Sequence, residues 1–279
     1  MRFTVPLALL FTAACSKAPK QVQEVVAIPA AKIPSLPGDR AWERAPEYVA
    51  RLIPQDIVEP RLMAPSTPDV HVRSITDGSE IAFRIEWDDA ARNDIPGPAR
   101  MADACAIQIP ETIAKDLPDP QMGQEGRRVQ VTYWRSDWQA TVDGRGDTIR
   151  DLYPNAAIDH YPFEAKPLEP GSEAQKEMVR RYAPARALGN IRGGPRAQPV
   201  EDLVADGPGT LAPGPPLGGK GKGIHNKSRW SVVVSRRLPD GLGPNQRTHI
   251  AFAVWQGDRH EAGARKMRSG WIPLLRRGQ

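Results

Sequence analysis

Five histidines, two cysteines and a few isolated methionines and lysines are the residues of this 279-residue chain whose types suit metal or proton chemistry. The histidines are His71, His160, His225, His249 and His260, and no two fall at a metal-binding spacing. No HExxH, GxSxG or phosphate-loop sequence occurs, so the common hydrolase and nucleotide signatures are absent. Cys15 and Cys105 form neither a CxxC nor a CxxCH, which argues against a covalently attached haem and against an iron–sulfur cluster within the chain. Asp88 and Asp89 are adjacent carboxylates that point apart and read as a solvated turn. Gly218-Gly219-Lys220-Gly221-Lys222-Gly223 lacks the Ser or Thr and the leading strand of a phosphate cradle.

Two residues remain with a chemical reading of their own. Met122 lies in Asp119-Pro120-Gln121-Met122-Gly123-Gln124-Glu125-Gly126, a polar turn with no apolar period around it. Its thioether is either a soft metal ligand or a cap folded onto the core. Lys222 lies between glycines, which let backbone approach a ligand closely. Its amine is either a ligand, once its proton is removed, or a solvated loop lysine.

The elements that must position these residues read mainly as strands. Residues 70–75, 81–87, 104–109, 129–134, 230–235 and 249–255 alternate apolar and polar side chains and are rich in β-branched and aromatic types. Asp77-Gly78 and Asp143-Gly144 mark turns. Helical pattern is sparse: residues 41–52 and 173–182 are the two segments that carry it. Residues 183–223 are dense in Pro and Gly and read as one long loop. The fold class expected is all-β, mainly antiparallel: a β-sandwich over residues 41–279 with long Pro/Gly-rich insertions and few short helices.

Residues 1–14 have a positive start, a short apolar run and small residues before a cysteine, which reads as a lipoprotein-type signal peptide. Cys15 would be the lipidated first residue, residues 15–40 a tether, and the location periplasmic and membrane-anchored. Cys105, in an apolar stretch, reads as a buried core residue. Hydrophobic residues make up 40% and charged residues 25%, a globular balance. The formal charge of +5 comes from scattered Lys and Arg, so no nucleic-acid surface is expected, and an acidic partner is weakly favoured.

Four ordered segments carry a resemblance. These are Asp103-Ala104-Cys105-Ala106-Ile107-Gln108-Ile109-Pro110; the Met122-Gly123 turn leading into Val129-Gln130-Val131-Thr132-Tyr133-Trp134; Lys222-Gly223 followed by Arg229-Trp230-Ser231-Val232-Val233-Val234; and Ile250-Ala251-Phe252-Ala253-Val254-Trp255 through to Trp271. Together, over residues 60–275, they resemble the haem-binding γ subunits of the ethylbenzene dehydrogenase and dimethylsulfide dehydrogenase group of molybdenum enzymes.

The resemblance implies a sandwich holding one non-covalent b-type haem, with Met122 and Lys222 as axial ligands of the iron and Met101 and Lys220 as alternates. It implies a non-catalytic subunit that relays electrons between the iron–sulfur subunit of a periplasmic molybdenum enzyme, with its catalytic subunit, and a soluble c-type cytochrome. Trp134 and Trp138 would wall the haem or pack the core. A rival from another class is a carbohydrate-binding lipoprotein, which needs exposed rings at Trp134, Trp138 and Trp255; a scaffold lipoprotein of the envelope is a third reading.

Overall fold

The computed structural model describes residues 23–95, 97, 99–146, 148–157, 168–169, 171–182 and 196–278. The signal segment 1–14, Cys15, His160 and residues 183–195 lie outside the described residues.

Alternating apolar residues build fourteen strands among them. In chain order they are β1 (Val25–Pro29), β2 (Tyr48–Arg51), β3 (Ile53–Pro54), β4 (Asp69–Thr76), β5 (Glu80–Asp88), β6 (Ala104–Pro110), β7 (Val129–Arg135), β8 (Val200–Ala205), β9 (Ala212–Pro213), β10 (Lys220–Asn226), β11 (Arg229–Arg237), β12 (Arg247–Trp255), β13 (Met267–Arg268) and β14 (Ile272–Arg276). The three α-helices among the described residues, α1 (Ser136–Val142), α2 (Ile149–Leu152) and α3 (Glu173–Tyr182), are short.

The hydrogen-bonded order is β10-β11-β5-β4-β1-β14-β12-β6-β7-β8-β9. All neighbours pair antiparallel except β1, which runs parallel to both β4 and β14. Strand β12 belongs to both halves: Arg247 to Ile250 pair with β14, and Ala251 to Trp255 pair with β6. That switch folds the ladder into two layers, one built around β5 and β11 and the other around β6 and β7. This is the expected all-β sandwich.

The core between the layers holds Phe83, Ile85 and Trp87 from β5, Trp230, Val232 and Val234 from β11, Cys105, Ile107 and Ile109 from β6, and Trp134 from β7. Trp134 meets Trp230 edge to face at 5.1 Å, and Trp87 stacks on Trp230 at 6.3 Å. Cys105 is fully buried, as its sequence context suggested, and burial pushes its thiol pKa up.

Two local expectations are corrected. Residues 41–52 are not one helix: a single 3₁₀ turn (Arg40–Arg44) anchors the buried Trp42, Pro46 breaks it, and the chain continues as β2. Nor is the stretch up to residue 223 one loop, because β8, β9 and the start of β10 lie within it. Val200, Leu203 and Ala205 pack inward from β8. Gly221 and Gly223 lie so close to the Trp134 ring that a methyl on Gly223 would overlap it. The glycines of that lysine-rich segment therefore serve close packing on Trp134.

Candidate functional site

The outer face of the β6–β7 layer carries the site. Its floor follows from strand register. Ala106 lies between Tyr133 of β7 and Ala253 of β12, and Ala253 is paired in turn with Arg268 of β13. One step along, Gln108 lies between Val131 and Ala251. Alternate strand positions normally carry large side chains on a packed face. Here the central ones are alanine, and a cavity of about 560 Å³ opens above them. That volume lies within the usual range for a small-molecule or cofactor pocket.

Four loops roof the cavity, and each is pinned. Gln108 Nε2 donates to Pro120 O at 3.0 Å and Trp271 Nε1 to Pro118 O at 2.7 Å, which hold the Met122 turn down. Gly207 N donates to Met122 O at 3.0 Å and ties the loop after β8 to that turn. Trp255 Nε1 donates to Gly263 O at 3.0 Å. Gln55 N donates to Lys266 O and Gln55 Nε2 to Ala264 O, both at 2.9 Å, so Gln55 clamps the segment before β13.

Met122 occupies this roof with φ of +79°, followed by Gly123 at the same angle. A non-glycine residue in the left-handed region costs about 1–2 kcal/mol. A Cβ at Gly123 would come within 2.9 Å of Arg127 O and 3.0 Å of Ala205 O, so only glycine fits there. The turn aims the Met122 thioether into the cavity, and Lys266 reaches it: Nζ lies 3.6 Å from Sδ. The same amine sits 5.3 Å from the Trp255 ring centroid. Burial, with the nearby Arg268 charge, pushes the Lys266 pKa down to about 8. Among the described residues no carboxylate pairs with it.

The sequence-derived residues divide sharply. Met122 and Met101 both line the cavity. Lys222 and Lys220 do not. They lie on edge strand β10 of the other layer, where Lys222 Nζ pairs with Asp143 and Lys220 Nζ with Glu80, each at 2.6 Å. Both point their charge to solvent-accessible carboxylates rather than into the cavity, and Lys266 is the lysine brought to Met122. Sequence reasoning passed over Lys266 because Ala264-Arg265-Lys266-Met267-Arg268 looks like an ordinary basic strand edge. The readable signal was the pair of alanine-rich alternations, Ala104-Cys105-Ala106 and Ala251-Phe252-Ala253, which leave room on one face.

The aromatic residues also separate. Tyr133 and Trp255 wall the cavity and meet edge to face at 5.1 Å. Trp134 packs in the core. Trp138 lies against Tyr133, with the Arg135 and Arg196 guanidiniums 5.0 and 3.8 Å from its ring centroid. Trp134, Trp138 and Trp255 are 0%, 2% and 7% exposed, so none offers the open platform a sugar ring stacks on.

The cavity is lined with charge of mainly one sign: Arg100, Arg135, Lys266 and Arg268 against the single carboxylate of Glu261. Burial raises the Glu261 pKa, and Asp258 adds to the rise. Such a lining, apolar with a few cations, a thioether and an amine of lowered pKa, suits an anionic, largely apolar ligand. Among the described residues no group of three or more His, Cys, Asp or Glu is placed to hold a bare metal ion. Among the described residues no helix is long and apolar enough to cross a membrane.

Residues 39–267 match the model of a family described as ethylbenzene dehydrogenase. A putative respiratory nitrate reductase heme subunit, ORF7 of Haloferax mediterranei, is 24% identical over 246 residues, covering 85% of this chain and 67% of that protein. A family 9 carbohydrate-binding module from Caldicellulosiruptor kristjanssonii overlays loosely. In complex with cellotriose it has 8% identity and a TM-score of 0.41 over 91% of this chain and 94% of that one. In complex with glucose the values are 9% and 0.40, over 91% and 96%.

Proposed function

The chain belongs to the ethylbenzene dehydrogenase family, and from that premise we propose that it is the haem-carrying, electron-transferring subunit of a respiratory molybdenum oxidoreductase. One observation carries the reading: a thioether and an amine of lowered pKa face each other at 3.6 Å inside an alanine-floored cavity. The residues fit a non-covalent haem b. Small floor residues leave room for a macrocycle, Tyr133, Val131 and Leu203 give it apolar walls, and a thioether and a deprotonable amine are donor types that iron accepts. When bound, haem supplies a one-electron couple.

In this reading Met122 and Lys266 would hold the haem iron, in place of the pair Met122 and Lys222 that the resemblance implied. Lys266 must bind as the free amine, and burial beside Arg268 eases the loss of its proton. The Gln55 clamp fixes the backbone from which that amine projects. The strained Met122 turn is held by Gly123, Gly207 and Trp271, so the sulfur arrives pre-aimed. Thioether ligation raises the potential of an iron centre. The amine, a harder donor, opposes that. Were both side chains to hold the iron, substrate would find no open position there, which suits a relay rather than a catalyst.

The partners in this reading are the iron–sulfur and catalytic subunits of the molybdenum enzyme and a soluble c-type cytochrome. The protein would work in the periplasm, held to a membrane through lipid on Cys15. Visible spectra of the haem-loaded full chain test the core of it. A low-spin b-type spectrum altered by Met122→Ala and by Lys266→Ala, and unchanged by Lys222→Ala, is expected. A spectrum altered by Met101→Ala and not by Met122→Ala moves the sulfur ligand to Met101. A folded chain that takes up no haem overturns the reading.

A further inference from the structure

Arg268 is a buried cation with too little to balance it. Its side chain is 10% exposed and it lines the cavity. Its only ion pair among the described residues is to Asp56 at 3.6 Å, and that carboxylate is 68% exposed. Its Nε is buried and makes no hydrogen bond. A guanidinium taken out of water needs an anion and filled donor positions, or it costs stability.

The other cavity arginines differ. Arg135 donates through Nε and Nη2 to the two oxygens of Asp137, both at 2.8 Å, so its fork is filled. Arg100 is exposed and lies 5.7 Å from the Tyr153 ring centroid. Position matters as well. Register sets Arg268 opposite Ala253 on the alanine floor, at the β13 edge of the cavity, two residues beyond Lys266.

We propose that Arg268 is the cavity's carboxylate-binding residue, holding an acidic side group of the bound macrocycle through its unfilled guanidinium face. The inference rests on the haem reading, in which the acidic group is a propionate. A planar guanidinium binds a carboxylate through paired, charge-assisted hydrogen bonds. The ligand's acidic edge would thereby be fixed at the β13 side of the cavity, which the two donors alone leave open.

The test compares two ligands on one protein. The full chain, stripped of haem, is titrated with haem b and with its dimethyl ester, in which both carboxylates are masked. Binding is read from visible absorbance and from quenching of tryptophan emission. The wild type should bind the free acid roughly 10–100-fold more tightly than the ester, the span expected of a buried charge-assisted pair. Arg268→Met should lower affinity for the acid by that factor and leave the ester unchanged. Arg268→Lys should restore part of the preference.

Equal binding of acid and ester by the wild type overturns the inference and leaves the haem reading standing. So does a preference that survives in Arg268→Met. Failure of both ligands to bind overturns the haem reading and this inference with it. Circular dichroism checks that each variant folds, and the wild-type comparison needs no variant.

Discussion

Lys266 Nζ and Met122 Sδ lie 3.6 Å apart although 144 positions separate the residues in the chain. Each is carried by a loop that two or more hydrogen bonds pin to the outer face of one sheet. Neither projects from a strand whose pattern announces it.

On the proposed reading, removing either side chain should be felt by the cofactor more than by the fold. Both side chains are partly exposed and lie in loops. Met122→Ala and Lys266→Ala should each shift the melting temperature little while changing the Soret and α bands of the loaded protein. Met122→Ala should also lower the midpoint potential in a redox titration. An unchanged spectrum in either variant removes that residue from the iron.

Filling the floor should block the cavity without unfolding the sandwich. In Ala106→Leu and Ala253→Leu the added carbons enter open space above the sheet, so stability should change by less than about 1.5 kcal/mol. Haem uptake should fall by an order of magnitude or more. Chemical denaturation and haem titration of the same preparations separate the two effects, and normal uptake would contradict the assigned floor.

Close packing at β10 should be costly to disturb. A methyl on Gly223 meets the Trp134 ring, and Gly223 N also donates to Gln139 Oε1 at 2.9 Å. Overpacking of this kind costs roughly 1–3 kcal/mol, so Gly223→Ala should lower stability by that amount. Lys222→Ala on the same strand removes an ion pair between half-exposed groups and should cost less than about 1 kcal/mol. Equal losses from the two variants would contradict the packing role given to the glycine.

Stability should depend on pH through Asp89. Asp88 is exposed as a solvated turn would have it, but the Asp89 carboxyl is buried near Asp103 and Asp258, and its pKa is pushed up to about 7, burial being the main cause. Asp103 is raised in the same way, against donors from Gly257, Asn93 and Trp230. The folded state therefore holds a proton that the unfolded state releases near pH 4. Stability is present below that pH and is lost as pH rises towards 7. Asp89→Asn should be more stable than the wild type at pH 8, by roughly 1–3 kcal/mol, with the gap closing near pH 4. Urea melts at the two pH values measure it, and a gap that widens on acidification would contradict the assignment.

Much of the fold was legible because strand burial repeats every two residues. Phe83-Arg84-Ile85-Glu86-Trp87 and Trp230-Ser231-Val232-Val233-Val234 state which side chains face the core, and both segments are strands of the sandwich. Met122 stands out for a different reason: its polar, glycine-rich turn leaves open a ligand or a cap folded onto the core, and the structure sets it in the cavity lining, packed against the β6–β7 layer. The stretch 183–223 reads as one loop in sequence because its prolines and glycines hide a β8 of only six residues and a β10 whose glycines pack against Trp134.

The sequence by itself determined the layers, since period-two alternation marks the strands, and it singled out Met122 as a residue out of place in its turn. Only the tertiary structure decided which lysine shares the site. Lys222 and Lys266 look alike as letters in a basic, glycine-bearing context. Strand order sets them apart, because β10 lies at the edge of one layer beside Asp143, while the Gln55 clamp and the β12–β13 pairing carry Lys266 over the alanine floor of the other. Side-chain chemistry is local, but which side chains meet is fixed by long-range pairing that no spacing in the sequence encodes.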